Sequence, residues 1–191
     1  MILDLAYYGE AVLRQKAEPV KEISDEIKKL AQDMKETLLH HNGLGIAAPQ
    51  VKHSVRMFYI CLPLNDPSKD DGRALGEPEL FINPVLSSPS EETDFAMEGC
   101  LSIPGVYEEV ERPIFLRVEA MNLDGEMFSK ELTGLPARVV MHENDHINGV
   151  LFFDRIKGKA VLFLSKRKLQ FACIHIGLVL KIEVNPLNDL T

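Results

Sequence analysis

The pentapeptide His142-Glu143-Asn144-Asp145-His146 constrains this chain more than any other feature, because it reads as one face of a helix. Four residues advance an α-helix by 400°, which leaves the two imidazoles about 40° apart around the axis and about 6 Å apart along it. Both can reach one metal ion. Glu143, one step on from His142, projects beside that ion, where a carboxylate can take a proton from water. The boundaries agree with a helix from about Pro136 to Asn148-Gly149, since Pro suits a first helical turn and Asn-Gly a stop. Taken alone, the same letters also describe two ordinary helix histidines and a solvated glutamate.

A catalytic divalent site has three protein ligands and an open position, so a third donor is required. Cys61, Cys100 and Cys173 form no C-x-x-C pair, and their odd number argues for reduced thiols. Cys100, in Glu98-Gly99-Cys100-Leu101-Ser102, offers a thiolate, and Gly99 permits the close backbone approach that a ligand-bearing loop beside a helix needs. A zincin-like metallopeptidase would instead recruit Asp154 or Glu183, after the second histidine. A closed four-ligand sphere would make the metal structural. The residue pattern leaves these three readings open.

The remaining chain reads as one domain, residues 1–191, without repeats or a long linker. Ile27, Leu30, Ala31, Met34 and Leu38 form an apolar stripe that predicts a helix over 25–41, with Ser24 as N-cap and Asn42-Gly43 as its end. Strands are expected at 55–61, 80–86, 114–121 and 127–132, the last two as a hairpin through Asp124-Gly125. Residues 62–78 read as an exposed loop. Residues 159–181 are compatible with a helix or a strand. The sequence is 46% apolar with a net charge of −8, which argues against nucleic acid as a partner. The uncharged run 169–180 is short of the roughly 20 residues of a membrane span. With no basic start and no apolar leader segment, a cytoplasmic location is expected.

A third segment, Gly43-Leu44-Gly45-Ile46-Ala47-Ala48-Pro49-Gln50, follows the first helix. In order, this segment, Glu-Gly-Cys-Leu-Ser and His-Glu-x-x-His resemble peptide deformylase, a likeness that runs from Leu13-Arg14 and Pro19-Val20 to Asp154-Arg155. The resemblance implies an α+β fold, a single domain of mostly antiparallel β-sheets around a central metal-binding helix. It implies removal of the formyl group from the N-terminal methionine of nascent polypeptides. By resemblance the ligands are Cys100, His142 and His146, holding one divalent ion, Fe²⁺ in the cell, with Zn²⁺, Ni²⁺ or Co²⁺ as substitutes. Glu143 becomes general base and then acid, and the Gln50 amide and Leu101 N–H become oxyanion donors. Gly45, Ile46, Gly99, Leu135, Arg138 and Val139 become substrate-binding residues. Tyr107 falls at the pocket mouth. Glu98, Arg112 and Asp145 are either orienting partners of the ligands or plain salt-bridge residues. A monomer in transient contact with the ribosome is implied, with no membrane and no nucleic acid. Lys52, where many relatives have Gly, and the tail 159–191 depart from the pattern.

Overall fold

The computed structural model of the chain describes residues 1–64 and 75–156. In chain order it contains helix α1 (Asp25–His40), strands β1 (Gly45–Ala47), β2 (Met57–Ile60), β3 (Glu79–Ser87), β4 (Thr93–Cys100), β5 (Ile103–Pro113), β6 (Phe115–Met121) and β7 (Met127–Thr133), and helix α2 (Leu135–Ile147). Ser24 caps α1 by accepting from the Ile27 N–H at 3.4 Å, and Asp25 and Glu26 complement the dipole in its first turn. Asn42, at φ +50°, turns the chain away after the helix.

An antiparallel five-stranded sheet has the order β1-β2-β3-β6-β7, and β4 and β5 form a separate two-stranded ribbon. Successive residues of β2 face opposite layers, as strand geometry requires. Met57 and Tyr59 pack with Leu30, Ala31, Met34 and Leu38 of α1. Phe58 and Ile60 pack with Ala137, Val140 and Ile147 of α2. The sheet therefore has a helix on each face, which is why all four residues of β2 are buried. The ribbon covers the other side of α2, and Ile103, Val106 and Val110 meet Phe152 and Phe153 in a third apolar cluster. The metal-helix candidate thus lies between two β-layers, in a single α+β domain as expected.

The expected helices and strands appear with ends shifted by a residue or two. The hairpin β6–β7 turns as its Asp-Gly pair predicts, with Gly125 at φ +81° and the Asn122 side-chain oxygen accepting from the N–H groups of Asp124 and Glu126, both at 2.9 Å. Strands β1, β4 and β5 were not foreseen. The first is three residues long, and the ribbon is rich in Glu, Gly and Pro, residues depleted in strands. Within the loop expected at 62–78, Pro63 and Leu75 form an antiparallel bridge, and residues 65–74 lie outside the described part. So does the tail 159–191, including Glu183. No helix among the described residues is long and apolar enough to cross a membrane.

Candidate metal and catalytic centre

Helix α2 starts after Gly134, whose φ of +66° turns the chain, with Pro136 in its first turn, and it stops at Asn148. His142, Glu143 and His146 are all buried on it. Cys100 comes from the last residue of β4, a strand rather than the loop anticipated. Its Sγ lies 3.2 Å from His146 Nε2, and one donor atom from each of Cys100, His142 and His146 falls within 4.8 Å of the others. Asp154, the rival third ligand, is committed elsewhere: Arg14 donates to it, and so does the Leu151 N–H at 2.8 Å.

A buried charge network holds these donors in place. His142 Nδ1 meets Glu98 Oε2 at 2.9 Å, and because the carboxylate can only accept, Nδ1 carries a proton, which leaves Nε2 as the nitrogen that a metal could displace a proton from and bind. Arg112 grips Glu98 with two hydrogen bonds, of 2.6 and 2.9 Å, and reaches Asp145 with a third of 2.9 Å. Arg138 adds 2.8 Å bonds to Glu98 and to the Val110 carbonyl, and Arg155 closes on Asp145. Burial pushes the Glu98 carboxyl up, but the bonds from Arg112 and His142 outweigh it and hold the group at about 2. Burial likewise opposes charge on His142, yet Cys100 and Glu98 bring it up to about 10, while burial lowers His146. The negative field around His142 is one in which a cation is favoured.

These observations test whether a metal fits. Two imidazoles and a thiol converge, one imidazole is oriented by a carboxylate, and a buried carboxylate stands next to them, with Glu143 Oε2 lacking a hydrogen-bond partner among the described residues. A His₂Cys donor set suits a divalent first-row metal. Burial lifts the Glu143 carboxyl to about 7, a value suited to exchanging protons near neutrality.

Gly45 explains how Glu143 comes so close to β1. A Cβ on Gly45 would lie 2.3 Å from Glu143 Oε1 and 2.7 Å from its Cδ. Gly45→Ala is therefore expected to push the carboxylate aside, with a loss of about 100-fold in kcat for a displacement of about 1 Å and an almost unchanged melting temperature. A variant with unaltered kcat would show that this contact positions nothing.

A cleft of about 570 Å³ opens beside these residues, lined by Gly45, Gln50, Gly99, Cys100, Leu101, Leu135, Arg138, Val139, His142 and Glu143 among others. Most of the anticipated site residues are thus brought together. The Gln50 side chain is locked by its oxygen, which accepts from the Ala47 N–H at 2.7 Å, so its amide nitrogen is turned toward Cys100 Sγ at 3.3 Å. Ile46 is a correction: strand alternation turns it away from the cleft into the fully buried core packed on α1. Arg138 contributes more than an apolar stem, since its guanidinium belongs to the buried network. Gly99 is close to the Tyr107 ring, 2.5 Å from a built Cβ to Cε1, whereas the approach to the helix belongs to Gly45. Sequence reasoning missed Met97, which lines the cleft while being 61% exposed. Its alternation with buried Glu98 is the signal that could have found it. The cleft lies between β1 and β4, each an edge strand with one side unpaired among the described residues.

The family model described as polypeptide deformylase matches residues 2–161. The chain is 42% identical over 165 residues to the peptide deformylase of Thermotoga neapolitana, covering 86% of this chain and 93% of that protein. It is 44% identical over 156 residues to the peptide deformylase of Bradyrhizobium diazoefficiens, covering 82% and 83%. Its structure resembles the Met-Ala-Ser-bound crystal structure of class I type b peptide deformylase from Acinetobacter baumannii, with a TM-score of 0.74, 38% identity, and coverage of 82% of this chain and 99% of that one.

Proposed function

Because this chain belongs to the polypeptide deformylase family, we propose that Cys100, His142 and His146 hold its metal and that Glu143 moves the protons of the reaction. The enzyme is a metal-dependent hydrolase that removes the N-formyl group from nascent peptides. The convergence of three donor atoms beside a buried carboxylate, in a cleft between two edge strands, carries the assignment of roles. The ion is divalent, and Fe²⁺ is the one proposed for the cell, although the donor set also accepts Zn²⁺, Ni²⁺ and Co²⁺. When bound, it supplies Lewis acidity, polarising a carbonyl and lowering the pKa of water.

Glu143 accepts the proton of the attacking water at its free oxygen and delivers it to the departing amine, as base and then acid. The formyl oxygen gains charge as its carbon becomes tetrahedral, and the Gln50 amide and the Leu101 N–H donate to it. Donors of this kind are each worth about 10²–10³ in rate. The substrate peptide adds as a strand between β1 and β4, with backbone contacts at Gly45 and Gly99. Its methionine side chain occupies the part of the cleft lined by Leu135, Val139 and the Arg138 stem. Ile46 supports this region from the core, outside the cleft. We further assign the protein to the cytoplasm, as a monomer in transient contact with the ribosome and as one catalytic domain over 1–191, whose tail from 159 departs from the family pattern.

Formate release from formyl-Met-Ala-Ser, with metal analysis of anaerobically purified protein, tests this reading. Cys100→Ala is expected to lose the ion and turnover together. Retention of stoichiometric metal by that variant would remove Cys100 from the ligand set and restore the zincin-like alternative, and a wild-type protein that releases no formate would overturn the activity itself.

A further inference from the structure

The outward face of β4 carries a row of apolar side chains that folding does not require. Strand alternation turns Glu98 inward and Phe95, Met97 and Gly99 outward, and the register places Phe95 opposite Glu111, Met97 opposite Glu109 and Gly99 opposite Tyr107. Phe95 and Met97 are each 61% exposed and Tyr107 is 59% exposed among the described residues. Met97 and Tyr107 line the cleft, but Phe95 lies beyond it. The row thus begins at the catalytic cleft and continues two residues past its rim, flanked by the carboxylates of Glu109 and Glu111. A contiguous exposed apolar strip of this kind marks an interaction surface.

We infer that this strip is the track for the nascent chain downstream of its formyl-methionine, and that it selects an apolar side chain near the fifth residue with a basic residue two positions before it on the same face. The inference rests on the deformylase reading, which puts the formyl end at Cys100, the last residue of β4. A peptide paired along the free edge of β4 advances about 3.4 Å per residue, so it comes abreast of Phe95 about 17 Å on, at about its fifth residue. Side chains on its outer face then lie beside Met97 and Phe95, at the spacing at which cross-strand pairs interact. Glu109 and Glu111 on the same face favour Lys or Arg at the position two residues from the apolar one and disfavour Asp or Glu there. The continuity of the strip with the cleft, together with this charge, identifies the peptide substrate as the occupant.

The test compares kcat/KM for formyl-Met-Ala-Ser with that for formyl-hexapeptides carrying Leu at residue five and either Lys or Glu at residue three, the same-face position beside Met97 and Glu109. Wild-type enzyme is expected to favour the Leu–Lys hexapeptide about tenfold over the tripeptide, the effect of partly burying one aromatic ring. The gain should fall on KM with kcat little changed, because such binding is equal in ground and transition states. Phe95→Ser should lose the gain while turning over the tripeptide at the wild-type rate, Phe95→Tyr should keep it, and Glu109→Lys should narrow or reverse the Lys-over-Glu preference. Equal kcat/KM for all lengths, a gain that survives in Phe95→Ser, or a loss in Phe95→Ser that falls equally on the tripeptide would each overturn the assignment of the strip. A wild-type enzyme inactive on the tripeptide would instead overturn the deformylase reading beneath it.

Discussion

Glu143→Gln is expected to keep its metal and to lose about 10²–10⁴-fold in kcat, the usual contribution of a positioned acid–base group. Glutamine preserves the shape of the side chain, so the tight contact with Gly45 and the packing of α2 are retained. What is lost is the ability to carry a proton at the oxygen that has no hydrogen-bond partner among the described residues. The donor atoms of the proposed ligands His142 and His146 are untouched, so the metal content of the purified variant should equal that of wild type. Formate-release kinetics with metal analysis on the same preparation separate the two effects. Wild-type turnover would show that the proton passes through another group, and loss of the ion would show that Glu143 belongs to the ligand set.

The second large effect is expected at Arg112→Met. Arg112 is 4% exposed and donates three hydrogen bonds to two buried carboxylates, Glu98 and Asp145. Breaking a buried ion pair from one side destabilises by about 3–5 kcal/mol, because the remaining charge stays desolvated without its partner. Arg138 still reaches Glu98 and Arg155 still reaches Asp145, which places the expectation at the lower end, about 3 kcal/mol. For a domain of this size that lowers Tm by roughly 6–12 °C. Since Glu98 also orients His142, metal affinity should fall about 10–100-fold. Thermal melts and metal competition measure the two losses. A Tm within a degree of wild type would show that the network contributes little to stability, and unchanged metal affinity would show that Glu98 orients His142 without Arg112.

Glu98 illustrates how far a residue's role was legible before the fold was known. Near Cys100 in the sequence, it reads equally well as an orienting group and as a plain salt-bridge partner, because nothing local shows what it meets in the fold. The structure decides this by bringing β4 against α2, so that one carboxylate meets His142, Arg112 and Arg138 together. Ile46 is the converse case. Its place beside Gly45 suggested the cleft, and strand alternation sent it to the opposite face.

By itself the sequence determined what depends on neighbours within a few turns of the chain: the two helices, the hairpin at Asp124-Gly125, and the pairing of His142 with His146 on one helical face. These follow from backbone periodicity and capping, which are encoded locally. Only the tertiary structure decided that a thiol at the end of β4 meets those imidazoles, that Gly45 leaves room for Glu143, and that β1 and β4 each keep one edge unpaired among the described residues. Contacts between segments far apart in the chain depend on how the layers pack around α2, and no local pattern carries that information.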